Sequence, residues 1–304
     1  MIKKMPWTTS ALILSLAALG NLLMTYSEGL RLALGIFAGV LFILFTVKIL
    51  TNMEGFKDFV SKPLFMGVFT TYPMALSLLS TYIKPYAPGL GKALWFLSVI
   101  GIFAIMIIFA VKFLAKRDIA HIFASTYIVY SGIAVAAITG PAFEQVGLAK
   151  AFVWIALIGY ILITPFAFKR IFKLKTIPEP ARETNAIITA PLALVIAGYN
   201  SAYGGSQNLT LLMIMIIISQ LIYFFVLTKL GLVFGKPFKP SFAGFTFTIV
   251  ISAIALKTTN AFLVKSGRAV GALKYLVKFE ELVAVIVVAY LCFLFMKVMF
   301  SSEK

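Results

Sequence analysis

Residues 92–114 read KALWFLSVIGIFAIMIIFAVKFL, and residues 121–140 read HIFASTYIVYSGIAVAAITG. The first stretch is apolar on every side and carries charge only near its ends. A helix needs roughly 20 such residues to cross a bilayer. The second stretch is as long, but Ser, Thr, Tyr and Gly are scattered through it. A polar group left alone in hydrocarbon costs several kcal/mol, so these side chains must face protein or water. One helix suits lipid and its successor suits an interior. This contrast sets the fold class: an all-α, polytopic membrane protein.

The same pair recurs along the chain. Residues 211–230 (LLMIMIIISQLIYFFVLTKL) and 282–300 (LVAVIVVAYLCFLFMKVMF) are plain, like 92–114. Residues 63–82 (PLFMGVFTTYPMALSLLSTY), 184–203 (TNAIITAPLALVIAGYNSAY) and 240–260 (PSFAGFTFTIVISAIALKTTN) are speckled, and 8–21 (TTSALILSLAALGN) is a milder case. We place ten spans, near 7–26, 32–51, 63–83, 92–114, 121–140, 149–168, 184–203, 209–230, 240–258 and 276–299. The period is two helices, repeated five times. Five speckled odd helices are expected inside, around a central lumen, and five plain even helices outside against lipid. The expected architecture is one transmembrane domain over residues 1–304, five helical hairpins around a pore, with no soluble domain.

Composition agrees. Hydrophobic residues make up 62% of the chain and charged residues 12%. Soluble domains run near 45–50% and 25%. The net charge of +17 would suggest nucleic acid in a soluble protein, but here Lys and Arg punctuate the apolar runs. They are read as topology signals, and no nucleic-acid partner is expected. The N-terminal segment resembles a secretion signal, but no small-residue cleavage site follows it, so a retained first helix is expected. One Cys (Cys292) and one His (His121) leave no material for a disulfide or a metal cluster. No cofactor, no metal and no catalytic residues are expected.

Orientation follows from the cations. With both termini on one side, that side holds 18 of the 27 Lys and Arg residues, Lys304 included. The positive-inside rule makes it the cytoplasmic side. The expectation is a multi-pass protein of the plasma (inner) membrane with both termini cytoplasmic.

Candidate site residues come from the odd spans. Pro73 and Pro191 interrupt spans three and seven, each lacking an N–H and clashing with the carbonyl four residues back. Gly132 is a third candidate kink, in span five. These three are the candidate pore-shaping kinks, although Pro and Gly are common in spanning helices anyway. No Asp or Glu is placed mid-span, which argues against a carboxylate relay or an acidic cation filter. Lys257 closes span nine and is either an anion-attracting pore mouth or a lysine reaching for the interface. Phe245-Thr246-Phe247-Thr248 lies in the same span. Residues two apart point about 200° from each other on a helix, so only one of the two phenylalanines can face a lumen. Glu183 begins span seven, where an acid suits the helix dipole. Glu280 and Glu281 are expected to pair locally with Lys278 and Lys274.

On these residues the chain resembles the tellurite-resistance/dicarboxylate transporter family, which includes bacterial TehA-type proteins and plant guard-cell slow anion channels. The resembling stretches are Glu179-Pro180-Ala181-Arg182 with the Ala190-Pro191 helix, Lys62-Pro63-Leu64-Phe65 with the Pro73 span, and Phe245-Thr246-Phe247. The resemblance implies ten helices in five hairpins, kinked odd helices lining a pore, and a ninth-helix phenylalanine that closes it. Carried onto this chain, it makes Phe247 the gate, with Phe245 second. It implies a homotrimer with one pore per protomer. Implied substrates are small anions: chloride, nitrate, sulfite, tellurite, or C4-dicarboxylates such as malate. Spans one, five and nine carry no mid-helix proline, where the family often has more regular kinks.

Two other readings compete. A drug/metabolite-type secondary carrier also uses about ten helices, but as two five-helix halves; the two-helix period here fits that less well. A membrane-embedded transferase needs clustered acids or a metal at one membrane face, and the acids here are scattered.

Overall fold

The computed structural model describes residues 1–301, so Lys304 lies outside the described residues. Every regular element among the described residues is helical. In chain order they are α1 (Thr9–Leu23), α2 (Glu28–Thr51), α3 (Met53–Val60), α4 (Pro63–Phe69), α5 (Thr71–Ile83), α6 (Pro88–Lys112) and α7 (Ala124–Ser131). There follow α8 (Ala134–Thr139), α9 (Val146–Phe168), α10 (Ala190–Tyr203), α11 (Leu209–Leu227), α12 (Thr246–Lys265) and α13 (Leu273–Phe300). Short 3-10 turns join several of them, and one π-helical turn, Lys169–Leu174, extends α9.

Eight stretches are long and apolar enough to cross a membrane, and the bent pair α7–α8 makes a ninth. The tenth expected span corresponds to α1, which has only 15 residues. That is short of the roughly 20 a bilayer demands. α3 was not foreseen. Its MEGFKDFV sequence puts Phe56 and Phe59 on one side, where their rings meet Trp7 at 6.0 and 5.7 Å.

Burial alternates along the chain as the polar texture predicts. In the spans containing α2, α6, α9, α11 and α13, 33% of the apolar window is buried. The figure is 67% for Pro63–Ile83, 83% for Glu183–Tyr203 and 67% for Pro240–Lys265. α1 is buried throughout except at Asn21 and Leu23. The buried helices touch in sequence: α1 packs on α5, α5 on α8, α8 on α10, α10 on α12, and α12 returns to α1.

Four of the buried spans are broken. α4 gives way to α5 at Thr70. Pro73 cannot donate to the Phe69 carbonyl, so the ladder fails there. α7 and α8 meet at Gly132-Ile133 with a bend of 40°. A Cβ on Gly132 would lie 2.9 Å from Met74 Sδ and 3.4 Å from Thr70 Cγ2. The break in span five therefore lies against the break in span three, and the nearest obstacle to a side chain at Gly132 is the Ile128 carbonyl of its own span. The 3-10 segment Glu183–Thr189 becomes α10, with Pro191 in its first turn. The 3-10 segment Pro240–Phe245 becomes α12 at Thr246. Spans five and nine thus break without a mid-span proline. Threonine serves the freed carbonyls: Thr71 donates to Val68 O (2.7 Å), Thr246 to Ala243 O (2.8 Å) and Thr248 to Gly244 O (2.8 Å).

Polar ties fix the buried helices against one another. Tyr82 donates to Ala17 O at 2.6 Å, joining α5 to α1. Trp95 Nε1 reaches Thr139 Oγ1 at 2.9 Å, and Thr139 also meets Ser77 at 2.9 Å. Asn200 Nδ2 spans Thr258 and Thr259 at 3.1 and 3.0 Å. Inside a membrane such a bond contributes about 0.6 kcal/mol on average. Their value is registration of helices that lipid cannot press together.

Candidate functional site: two cavities that meet at Phe247

Two cavities lie end to end among the buried spans. The larger, of ≈ 590 Å³, is walled by α1 (Thr8 and Ala11 at its start), α4 with Thr71, Phe123 and Ile128, the 3-10 turn with Thr184 and Ile187, and residues 239–248. The smaller, of ≈ 270 Å³, is walled by the far end of α1, Leu78, Val135 and Ile138, and the Ile251 to Ala261 stretch of α12. No residue of α2, α6, α9, α11 or α13 lines either one. Among the described residues one lines both, and it is Phe247.

Phe247 is the second residue of α12, immediately after the break that starts it, and is 4% exposed. Phe245 precedes the break and points elsewhere. It lines a separate cavity with Ile171, Phe172, Arg182 and Asn185. The opposed directions of these two rings are what a spacing of two requires.

The walls are mostly apolar. Thr71, Thr184 and Thr248 spend their hydroxyl protons on carbonyls of their own turns. Thr8 Oγ1 is buried at the wall and has no partner. Charge is confined to the ends, where Glu179 and Lys239 line the larger cavity and Lys257 the smaller. At the mouth of the larger cavity, Lys239 lies 2.9 Å from Glu183 Oε1, and Ser241 donates to Glu183 Oε2 at 3.0 Å. In the smaller cavity, Lys257 lies 2.7 Å from Glu281 Oε1, 2.7 Å from Leu22 O and 2.8 Å from Thr25 Oγ1. Each path-facing lysine is thus answered by a buried acid on a neighbouring segment.

These pairs change two expectations. Glu183 holds Lys239 and Ser241 rather than only capping its helix. Glu281 reaches Lys257 in α12, with Lys278 farther off at 3.8 Å and Lys274 not among its partners. It also accepts a hydrogen bond from Tyr26. Glu280 is fully buried inside α13, so an acid does lie within a span, between α13 and the Gln220–Tyr223 face of α11. The expected span 276–299 already contained Glu280; the sequence does not show that its side chain turns toward α11.

Pro73, Gly132 and Pro191 line neither cavity. Pro73 packs toward Gly101 of α6, Gly132 toward Met74, and Pro191 sits in the first turn of α10. They act on the backbone, by setting where spans break. Lys257 does line the smaller cavity. Sequence reasoning missed Thr8, Thr71, Ile128 and Thr184 as wall residues. The hydroxyl speckling marked their helices but not which face would turn inward.

No curated protein matches the chain. A family model described as voltage-dependent anion channel (SLAC1) matches residues 4–301. With an all-helical body of apolar spans and a match over nearly the whole length, the chain belongs to the SLAC1 family of voltage-dependent anion channels.

Proposed function

We propose that this protein conducts small anions along the line of the two cavities, and that Phe247 is its gate. The observation carrying the proposal is that two cavities from opposite ends of the buried spans share a single wall residue, the Phe247 ring. A ring at a narrow apolar waist blocks by volume and by excluding water. In this reading the ten segments form five hairpins, with the broken odd spans around the path and the plain even spans against lipid. The alternating burial and the return of α12 to α1 support it.

Selectivity then comes from dehydration rather than from a binding charge. The lysines at the ends are paired, Glu179 stands exposed at the larger mouth, and the remaining polar wall groups, such as Thr8, Asn21 and Thr258, are neutral. Such a path favours small or weakly hydrated inorganic anions such as chloride and nitrate. Tellurite-like oxyanions and C4-dicarboxylates are the wider substrate range the resemblance suggests. We further propose an inner-membrane homotrimer with cytoplasmic termini, one path per protomer.

The test is anion flux into proteoliposomes by the native protein and by Phe247→Ala. A leak of chloride or nitrate far above native supports the gate. Silence of both proteins toward inorganic anions, with malate exchange, would instead indicate a carrier in which Phe247 merely packs.

A further inference from the structure

A third cavity lies away from the path, on the lipid side of the fold. It has a volume of ≈ 750 Å³ and opens between the end of α6, the loop after it, and α9. One wall is Leu162, Ile163, Pro165 and Phe166; the other includes Leu114 and Ile122, with Tyr130 and Gly159 beneath. Leu162 and Phe166 are 63% and 54% exposed, so the groove is open sideways. Arg117, Asp118 and Lys169 stand at its rim, on the face that collects most of the chain's cations.

The rim is electrostatically unlike the path. Lys239 and Lys257 are each paired with an acid, whereas Arg117 and Lys169 form no ion pair or side-chain hydrogen bond among the described residues. Asp118 shares the rim, where its Oδ1 is engaged by the Ala120 N–H at 2.8 Å, and the two cations leave the rim with a net positive charge. The neighbouring cation Arg170 is used internally, donating to Ile122 O at 2.6 Å and stacking over the Phe123 ring. Two free cations therefore overhang an apolar trough. Arg117 holds this place in the left-handed region, at φ 53°. That conformation is unfavourable for a side-chain-bearing residue.

The dimensions match one leaflet. Gly159 and Lys169 are ten residues apart along α9 and its extension, about 15 Å of helix at 1.5 Å per residue. Half of a hydrocarbon core of about 30 Å is the same length. We propose that this groove binds an anionic phospholipid, its phosphate held by Arg117 and Lys169 and one acyl chain laid along Ile163, Phe166 and Tyr130 toward Gly159. Two free cations favour an anionic over a zwitterionic headgroup by roughly tenfold or more.

The experiment reads occupancy rather than flux. Leu162→Trp, at an exposed position, reports on the groove through quenching by lipids brominated on their acyl chains, read as the difference from the native protein, whose exposed Trp154 lies on the same helix. The protein is reconstituted in phosphatidylcholine with either brominated phosphatidylglycerol or brominated phosphatidylcholine. Phosphatidylglycerol is expected to quench at roughly tenfold lower mole fraction. Arg117→Gln and Lys169→Gln are each expected to shrink that preference and, together, to abolish it. Both positions are solvent-facing, and each single variant stands if the double one is lost. Equal quenching by the two lipids overturns the proposal, because bulk lipid then wets the groove. So does no quenching by either, with Leu162→Cys cross-linking between copies, since another protomer then covers it. A preference that inorganic phosphate removes at matched ionic strength also overturns it, because the rim then takes a free oxyanion.

Discussion

Replacing Phe247 with alanine joins a cavity of ≈ 590 Å³ to one of ≈ 270 Å³, because no other residue lines both. In the native protein an anion at this waist sheds water against an apolar ring. The effective penalty for desolvating an ion in a protein is several kcal/mol. If the missing ring lets water persist through the waist and relieves about 3 kcal/mol of that barrier, flux rises about a hundredfold. The assay is uptake of chloride and of nitrate into proteoliposomes under a fixed gradient. Phe245→Ala is the matched control, since that ring is equally buried but faces another cavity. It is expected to lower stability by about 3 kcal/mol without opening the path. The reasoning is refuted if Phe247→Ala conducts no faster than native while remaining folded, or if Phe245→Ala leaks as much.

Three further outcomes follow from the same geometry. Glu183→Gln frees the Lys239 charge at the mouth of the larger cavity, so anion flux through a Phe247→Ala background should rise several-fold at low salt. That gain should fade as salt screens the charge, which a flux series in ionic strength would show. Lys257→Met leaves the buried Glu281 with the Tyr26 hydroxyl and only the distant Lys278 as a cation, and should cost about 3 kcal/mol. Pairing it with Glu281→Gln should recover most of the loss, measured as thermal unfolding in detergent. Gly132→Val places bulk against Met74 and Thr70 where two broken spans nest. It should lower the melting temperature by several degrees, whereas Gly147→Val, at an open position, should leave it nearly unchanged.

Much of the architecture was legible because a bilayer gives polarity a single meaning. The stretches 92–114 and 121–140 differ in texture, and that difference alone sorted buried helices from exposed ones. The break at Thr70 was legible through Pro73. The break before Thr246 was not, because no mid-span proline announces it. α3 stayed hidden, since an eight-residue amphipathic turn is too short to show a period. The Lys257–Glu281 and Lys239–Glu183 pairs also stayed hidden. Their partners are 24 and 56 residues apart, and no local pattern links charges across a helical turn-around.

Residue order alone tells that this chain spans a membrane, which helices turn inward, and that only one of Phe245 and Phe247 can face a lumen. Those conclusions rest on local quantities: hydropathy over one helix length, the cost of an unpartnered polar group, and the angle between residues two apart. Which of the two rings separates the cavities, which lysines are neutralised, and which cations stay unpaired over the lipid-facing groove emerge from the packed fold. Those outcomes depend on how distant helices rotate and slide against one another, and packing sets that geometry only when every span is in place.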